Sequence, residues 1–285
     1  MAAVKLWIQG ARPRTLPAAL VPVAVGTAVA APDVVWWRAA AALVVAVALQ
    51  VGVNYANDYS DGIRGTDANR VGPARLVGGG MVAPALVKRA AFGAFGVAAA
   101  AGLALAIATA PWLIAVGLAC IVAGWYYTGG RRPYGYAGLG EVAVFVFFGL
   151  VATTGAAFVH TEELTGLAVV ASVPVGLLAS ALLVANNLRD IPQDQAAGKR
   201  TLAVRLGSGG TAWLYAALVA AAFGVGGAMA VARPWAPLTL AALGFAIPAV
   251  VLALSSGDKA PLLNYTARLH LVFGALLTIG LAVSA

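Results

Sequence analysis

The acidic chemistry of this chain is concentrated in two short segments. The first carries Asn54, Asn57, Asp58 and Asp61, followed by Arg64 and Asp67; the second carries Asn186, Asn187, Arg189, Asp190 and Asp194, followed by Lys199 and Arg200. The chain has only ten Asp and Glu in 285 residues, and five of them lie in these segments. On a helix, Asn54, Asn57, Asp58 and Asp61 stand at i, i+3, i+4 and i+7 and so share one face, while Asp190 and Asp194 are one turn apart. Each segment closes a long apolar run, where carboxylates are costly unless compensated. A divalent cation is the simplest partner for clustered acids with no matching set of bases. Hard oxygen donors select Mg²⁺ or Ca²⁺, and Mg²⁺ completes its shell with water and substrate phosphates. The pattern predicts a membrane enzyme that uses Mg²⁺ on a phosphorylated substrate. The plainer alternative is that these are ordinary loop polars beneath membrane helices; two matched segments weigh against it.

Arg64, Lys199 and Arg200 are the natural ligands for phosphate oxygens beside such a metal, although bases in loops on one membrane side need no ligand to explain them. Between the two segments, Tyr127, Arg131, Arg132, Tyr134, Tyr136 and Glu141 share one short loop. Aromatics at an interface are usually anchors. Together with two arginines and a glutamate they also suit an aromatic, anionic acceptor. Glu141 opens an apolar helix, a position that favours a carboxylate electrostatically. Pro192 predicts that one helix ends near Asp190 and a short one begins. His160 and His270 read as isolated interfacial polars, and Glu162 and Glu163 as outer-side residues without chemistry. Cys120, the only cysteine, excludes disulfides and thiolate metal sites.

The elements that must position these residues are membrane helices. Hydrophobic residues make up 62% of the chain and charged residues 10%, with a mean hydropathy of +0.91. Uncharged windows near the length of a bilayer span recur along it. We read an all-α polytopic membrane protein, a single domain over residues 1–285, with nine spans: Leu16–Ala31, Trp36–Ala56, Val87–Thr109, Trp112–Thr128, Leu139–Val159, Leu164–Asn187, Thr211–Ala232, Ala236–Leu254 and Leu269–Ser284. Alternating the loops puts sixteen of the eighteen Lys and Arg on one side, Arg70, Arg75 and both acidic segments among them, and leaves Arg38 and Arg233 on the other. The positive-inside bias makes the larger side, with the N-terminus, cytoplasmic. The net charge of +8 is therefore a topology signal, and bases spread among membrane loops exclude nucleic acid as a partner. The N-terminus lacks the pattern of a cleaved signal peptide. Glycines inside the spans, such as Gly93, Gly96, Gly102, Gly224, Gly226 and Gly227, predict close helix packing. Asn54-x-x-x-Asp58 and Asn186-x-x-x-Asp190 form a weak repeat on one membrane side, as two related halves facing a central cavity would give.

Asn57-Asp-x-x-Asp61 and Asp190-x-x-x-Asp194, closing the second and sixth spans, resemble the two Asp motifs of the UbiA superfamily of intramembrane prenyltransferases. The resemblance covers essentially the whole chain. It implies nine transmembrane helices around a central cavity opening to the cytoplasmic face. Within the superfamily, NDYSDGIRGTD, RVGPARLVGGG, YTGGRRPYGYAGLGE, NNLRDIPQDQAAGKRTLAVRLG and RPRTLPAAL are similar to the branch that prenylates 1,4-dihydroxy-2-naphthoate in menaquinone synthesis. One departure from the general pattern is Gly65 four residues past Asp61, with the third acid at Asp67, a spacing shared with that branch. The resemblance implies that Asp58, Asp61, Asp190 and Asp194 hold Mg²⁺ on an allylic polyprenyl diphosphate. Asn54, Asn57, Arg64, Asp67, Lys199 and Arg200 would assist with the diphosphate, and Tyr127, Arg131, Arg132 and Glu141 would position the acceptor. It also implies a multi-pass protein of a bacterial inner membrane, and fourteen Arg against four Lys fits a GC-rich source. The Asp motifs do not separate the naphthoate from 4-hydroxybenzoate or homogentisate. A CDP-alcohol phosphotransferase fits less well, because Gly65-Thr66 stands where Ala-Arg belongs. A transporter would carry its charges near the bilayer midplane rather than at one surface.

Overall fold

A computed structural model describes residues 2–66 and 75–285; Asp67 and Arg70 lie outside them. The described residues form helices joined by short loops, with no strand among them. A short lead-in, α1 (Ala2–Gly10), precedes α2 (Pro17–Val29), α3 (Trp36–Arg64), α4 (Pro84–Ala108) and α5 (Leu113–Tyr126). Then α6 (Gly140–Val144), a π-helical stretch (Phe145–Val151) and α7 (Ala152–Thr161) run on as one rod. It is followed by α8 (Gly166–Ala196), α9 (Leu202–Ala228), α10 (Leu243–Leu254, led by a 3₁₀ turn from Ala236) and α11 (Leu262–Val283). Seven of these rods are long and apolar enough to cross a membrane. The other two expected spans correspond to shorter apolar helices of 13 and 14 residues, α2 and α5.

Helix length explains where the acidic segments sit. At 1.5 Å per residue, the 29 residues of α3 and the 31 of α8 extend about 45 Å, while the hydrocarbon core is about 30 Å thick. Their C-terminal turns therefore project beyond the apolar layer, and those turns carry Asp58, Asp61, Asp190 and Asp194. Each helix is then stopped by a glycine in the left-handed region, Gly65 at φ 72° and Gly198 at φ 71°, which other residues adopt only with strain. α8 is the inner helix: 67% of its most apolar window is buried, against 50% for α11 and 28–33% for the other long rods. Val175, Leu178 and Val184 of α8 pack with Val21 and Val25 of α2, Tyr215 of α9 and Phe273 of α11 in the main core.

Three expectations need correction. α8 does not break at Pro192 but runs through it to Ala196; a proline there forfeits one backbone bond, and the turns on either side keep theirs. Of the six glycines named for packing, Gly93, Gly96, Gly224 and Gly227 face open space, and only Gly226 has a close neighbour, Phe273. The close helix contacts are made elsewhere: Gly149 meets the backbone of Gly176 in α8, Gly26 meets Thr153 and Ala156, and Gly274 meets Val21. His270 is not interfacial. α11 starts at Leu262, earlier than the apolar run suggests, because Thr266 bonds back to the Leu262 carbonyl at 2.8 Å and pairs with the Tyr215 hydroxyl at 2.9 Å. His270 thereby lies fully buried inside the bundle.

Arginines tie loops and helix ends together at both ends of the bundle. At one end, Arg64 donates to the carbonyls of Thr128 and Gly130, and Arg205 donates to that of Ala137 at 2.8 Å. At the other, Arg38 ties the start of α3 to the ends of α4 and α7, through Ala108 O at 3.1 Å, Val159 O at 2.8 Å and Glu162 at 3.0 Å. Glu162, expected to do nothing, is part of that clasp. His160 is buried there and accepts from the Val35 N–H at 3.2 Å.

Candidate active site

The acids of the first segment are held by partners distant in sequence. Asp58 accepts the backbone N–H groups of Leu76 and Val77, each at 3.0 Å, and so pins the loop that leads to α4. Gly62 makes the close approach possible, since a Cβ there would meet Val77 at 2.4 Å. Asp61 accepts from the Tyr136 hydroxyl and stands 3.5 Å from the Lys199 ammonium. Burial, and then the Asp61 charge, raise the Tyr136 pKa well above its usual value, so it remains a proton donor. Asn57 accepts from Thr128 at 2.7 Å. Asn54 donates to Ala11 O at 2.9 Å and to Thr15 at 3.2 Å.

In the second segment, neighbours on one helix bond to each other. Arg189 grips the adjacent Asp190 with two bonds, 2.6 and 2.8 Å, and donates to Asn186 at 2.8 Å. Asn186 also lies 3.4 Å from Asp190. The two segments are joined by Lys199, whose ammonium lies 3.5 Å from Asp61 and 3.9 Å from Asp194 and sits over the Tyr136 ring at 4.7 Å.

Both segments face one cavity of about 520 Å³. Its polar end is lined by Asn54, Asn57, Asp58, Asn186 and Arg189, with Arg12, Arg14 and Arg75. Its far end is apolar: Leu49, Val53, Phe147, Phe148, Leu182 and Leu183. The π-helical stretch contributes both phenylalanines, while Gly149 of the same stretch packs against α8. Such wide turns are characteristic of functional sites. Tyr127 and Tyr134 line the wall as an edge-to-face pair with centroids 5.4 Å apart.

Of the residues singled out from the sequence, Asn54, Asn57, Asp58 and Tyr127 line the cavity. Asp61, Asp190, Asp194 and Lys199 are outside that lining and at least half-buried, and Arg64 and Arg200 are exposed. Arg131 and Arg132 are exposed and outside the lining. Glu141 is buried between α6 and α8, with one carboxyl oxygen accepting from Asn187 at 3.0 Å and the other without a hydrogen-bond partner. Sequence reasoning missed the segment before α2: Gln9, Gly10, Arg12, Pro13, Arg14 and Thr15 all line the cavity. The signal available was the RPRTLPAAL motif, noticed only as a likeness.

The donor set fits a hard divalent cation in kind. The Asp58 carboxylate and the amides of Asn54, Asn57 and Asn186 bring oxygens from both segments to one cavity, where a diphosphate would supply further oxygens. Among the described residues no three Asp, Glu, His or Cys side chains stand close enough to hold an ion by themselves, so such a site depends on substrate oxygens or on rearranged acids.

A helical membrane bundle around a cavity with acidic and basic residues in one part of its lining and apolar residues in the rest is the architecture of a membrane enzyme for long apolar substrates with anionic heads. Residues 19–280 match the UbiA prenyltransferase family, and the chain belongs to it. It is 53% identical over 253 residues to the 1,4-dihydroxy-2-naphthoate octaprenyltransferase of Mycobacterium tuberculosis, covering 86% of this chain and 87% of that protein. The Escherichia coli protein of the same description is 39% identical over 215 residues, covering 70% and 68%. Among solved structures, the apo UbiA homolog from Aeropyrum pernix matches with a TM-score of 0.74 at 17% identity, covering 92% of this chain and 97% of that one. The Archaeoglobus fulgidus homolog bound to GPP and Mg²⁺ matches with a TM-score of 0.71 at 15% identity, covering 95% and 99%. These two likenesses show the fold.

Proposed function

We propose that this protein transfers a polyprenyl group from an allylic polyprenyl diphosphate to 1,4-dihydroxy-2-naphthoate, releasing diphosphate and CO₂ and giving demethylmenaquinol. The observation that carries the reading is the cavity with both Asp segments at its mouth and an apolar far end, in a chain 53% identical to a relative named for that activity. In this reading Asp58, Asp61, Asp190 and Asp194 hold Mg²⁺. When bound, Mg²⁺ neutralises the charge that develops on the leaving diphosphate. Asn54, Asn57, Arg64, Lys199 and Arg200 hold the diphosphate in place, with Lys199 already between the two segments; Asp67 joins them on sequence grounds alone.

Breaking the allylic C–O bond leaves a carbocation that water would destroy, and the Phe147, Phe148, Leu182 and Leu183 walls exclude water from it. The electron-rich naphthoate ring attacks the cation at the carbon bearing its carboxylate. The C–C bond to that carboxylate then breaks, CO₂ leaves, and the bonding electrons restore the aromatic ring. Tyr127 offers an aromatic wall to the acceptor. Arg131 and Arg132 attract its negative charge toward the mouth, and Glu141 acts through Asn187, next to cavity-lining Asn186. The chain crosses a bacterial inner membrane nine times as a single domain, α2 and α5 included, with its N-terminus and mouth cytoplasmic and the cavity opening there.

The test is an assay in nanodiscs with an allylic polyprenyl diphosphate, Mg²⁺ and either the naphthoate or 4-hydroxybenzoate, read by mass spectrometry of the lipid extract. A prenylated, decarboxylated naphthoquinone that disappears with EDTA is the expected product. Prenylation of the benzoate alone would overturn the acceptor, and no product from either would overturn the reading.

A further inference from the structure

The reaction needs the cavity to hold two anions, a diphosphate and an aromatic carboxylate, and the loop arginines Arg131 and Arg132 do not line it. The geometry points to Arg12 as the residue that binds the acceptor's carboxylate. This rests on the prenyltransferase reading and deepens it by assigning the acceptor's end of the cavity.

Three observations converge on Arg12. First, it lines the cavity and is half-buried there. Second, its backbone is in the left-handed region, at φ 54° and ψ 70°, one of only two non-glycine residues with positive φ among those described. Such a conformation persists only where the surroundings impose it, and it clusters at functional sites. Third, the surroundings do impose it. The Thr15 N–H and hydroxyl both donate to the Arg12 carbonyl at 2.9 Å. The Thr15 hydroxyl in turn accepts from Gln50 at 2.9 Å and from Asn54 at 3.2 Å, and Asn54 also holds Ala11 O at 2.9 Å. Two buried amides of α3 thus clamp the turn that aims Arg12.

Depth distinguishes the two anions. Asn54 is one turn below Asp58 on α3 and Gln50 two turns below, about 6 and 12 Å toward the apolar end. The clamp therefore anchors Arg12 deeper than the acids that mark the diphosphate end. Of the other cavity arginines, Arg14 is exposed, Arg189 grips Asp190, and Arg75 adjoins the Leu76 and Val77 amides held by Asp58. A guanidinium one turn below the diphosphate suits the carboxylate of a ring whose carbon must reach the first prenyl carbon, and its fork matches a carboxylate. Gln50 and Thr15 are positioning residues in this arrangement.

The test is steady-state kinetics of Arg12→Gln in nanodiscs, varying each substrate at saturation of the other. We expect the KM for 1,4-dihydroxy-2-naphthoate to rise about tenfold to a hundredfold, with the KM for the diphosphate within about twofold of wild type. Thr15→Val should raise the naphthoate KM less, and Thr15→Ser should restore it. An unchanged naphthoate KM, an equal rise in both, or a rise for the diphosphate alone overturns the assignment. If Arg12→Gln turns over too slowly to measure, calorimetric binding of the naphthoate without diphosphate decides: lost affinity supports the assignment and wild-type affinity overturns it. A wild-type protein that prenylates neither acceptor instead overturns the parent reading, and this one with it.

Discussion

The two Asp segments look alike in sequence and are built differently. Each ends an overlong helix, each carries Asn one turn before its first acid, and each is closed by a left-handed glycine. The α3 acids are nevertheless tied to distant parts of the chain, Asp58 to the loop at Leu76 and Val77 and Asp61 to Tyr136 and Lys199. Asp190, in contrast, is gripped by its neighbour Arg189 and lies beside Asn186 on the same helix. The first acidic segment thus organises surrounding loops, while in the second the acid Asp190 is gripped at short range from its own helix. Similar motifs need not carry similar structural duties.

The largest effect should be shared. Asp58→Asn and Asp190→Asn should each reduce kcat by about a thousandfold, which is about 4 kcal/mol of lost transition-state stabilisation. Wild-type turnover in either variant removes that acid from the site. Stability should separate them. Asp58→Asn weakens the acceptor for one buried and one half-buried N–H group and should cost about 1–3 kcal/mol, read as a lower thermal midpoint in detergent. Asp190→Asn keeps an oxygen acceptor for Arg189 and should cost less than Asp58→Asn, and equal losses would break the comparison. Lys199→Met removes the charge between the segments and should raise the diphosphate KM about tenfold or more; an unchanged KM would mean the bridge is only structural. Tyr136→Phe deletes one donor to Asp61 and should lower kcat/KM by about tenfold. The smallest effect is expected of Arg189→Lys, which keeps a cation beside Asp190 but loses the fork, and should shift kcat/KM by only a few fold. A larger loss there than in Tyr136→Phe would reverse the ranking.

Much of this was legible because it is periodic or compositional. The i, i+3, i+4, i+7 spacing put Asn54, Asn57, Asp58 and Asp61 on one face, and nine apolar runs marked the rods, two of which prove short. What could not be read depends on contacts between residues far apart in the chain. The clamp of Gln50 and Asn54 on Thr15 spans 35 and 39 residues, and it gives Asn54 a second task, bracing the N-terminal segment, that no local pattern shows. The start of α11 was misjudged because Asn264, Thr266 and Arg268 look like loop residues until Tyr215 supplies a buried partner for Thr266. The π-helical stretch Phe145–Val151 has no signature in a run of apolar residues. Pro192 misled because a breaker residue was given more weight than the helix around it.

The clasp at the opposite end has a consequence for the cell rather than for the reaction. None of its members, Arg38, Ala108, Val159 or Glu162, lines the cavity. A wet, charged pocket sunk into an energised membrane is one opening short of a leak, since each charge crossing 100 mV releases about 2.3 kcal/mol. By tying the start of α3 to the ends of α4 and α7, Arg38 holds together the part of the bundle that any such leak would have to cross.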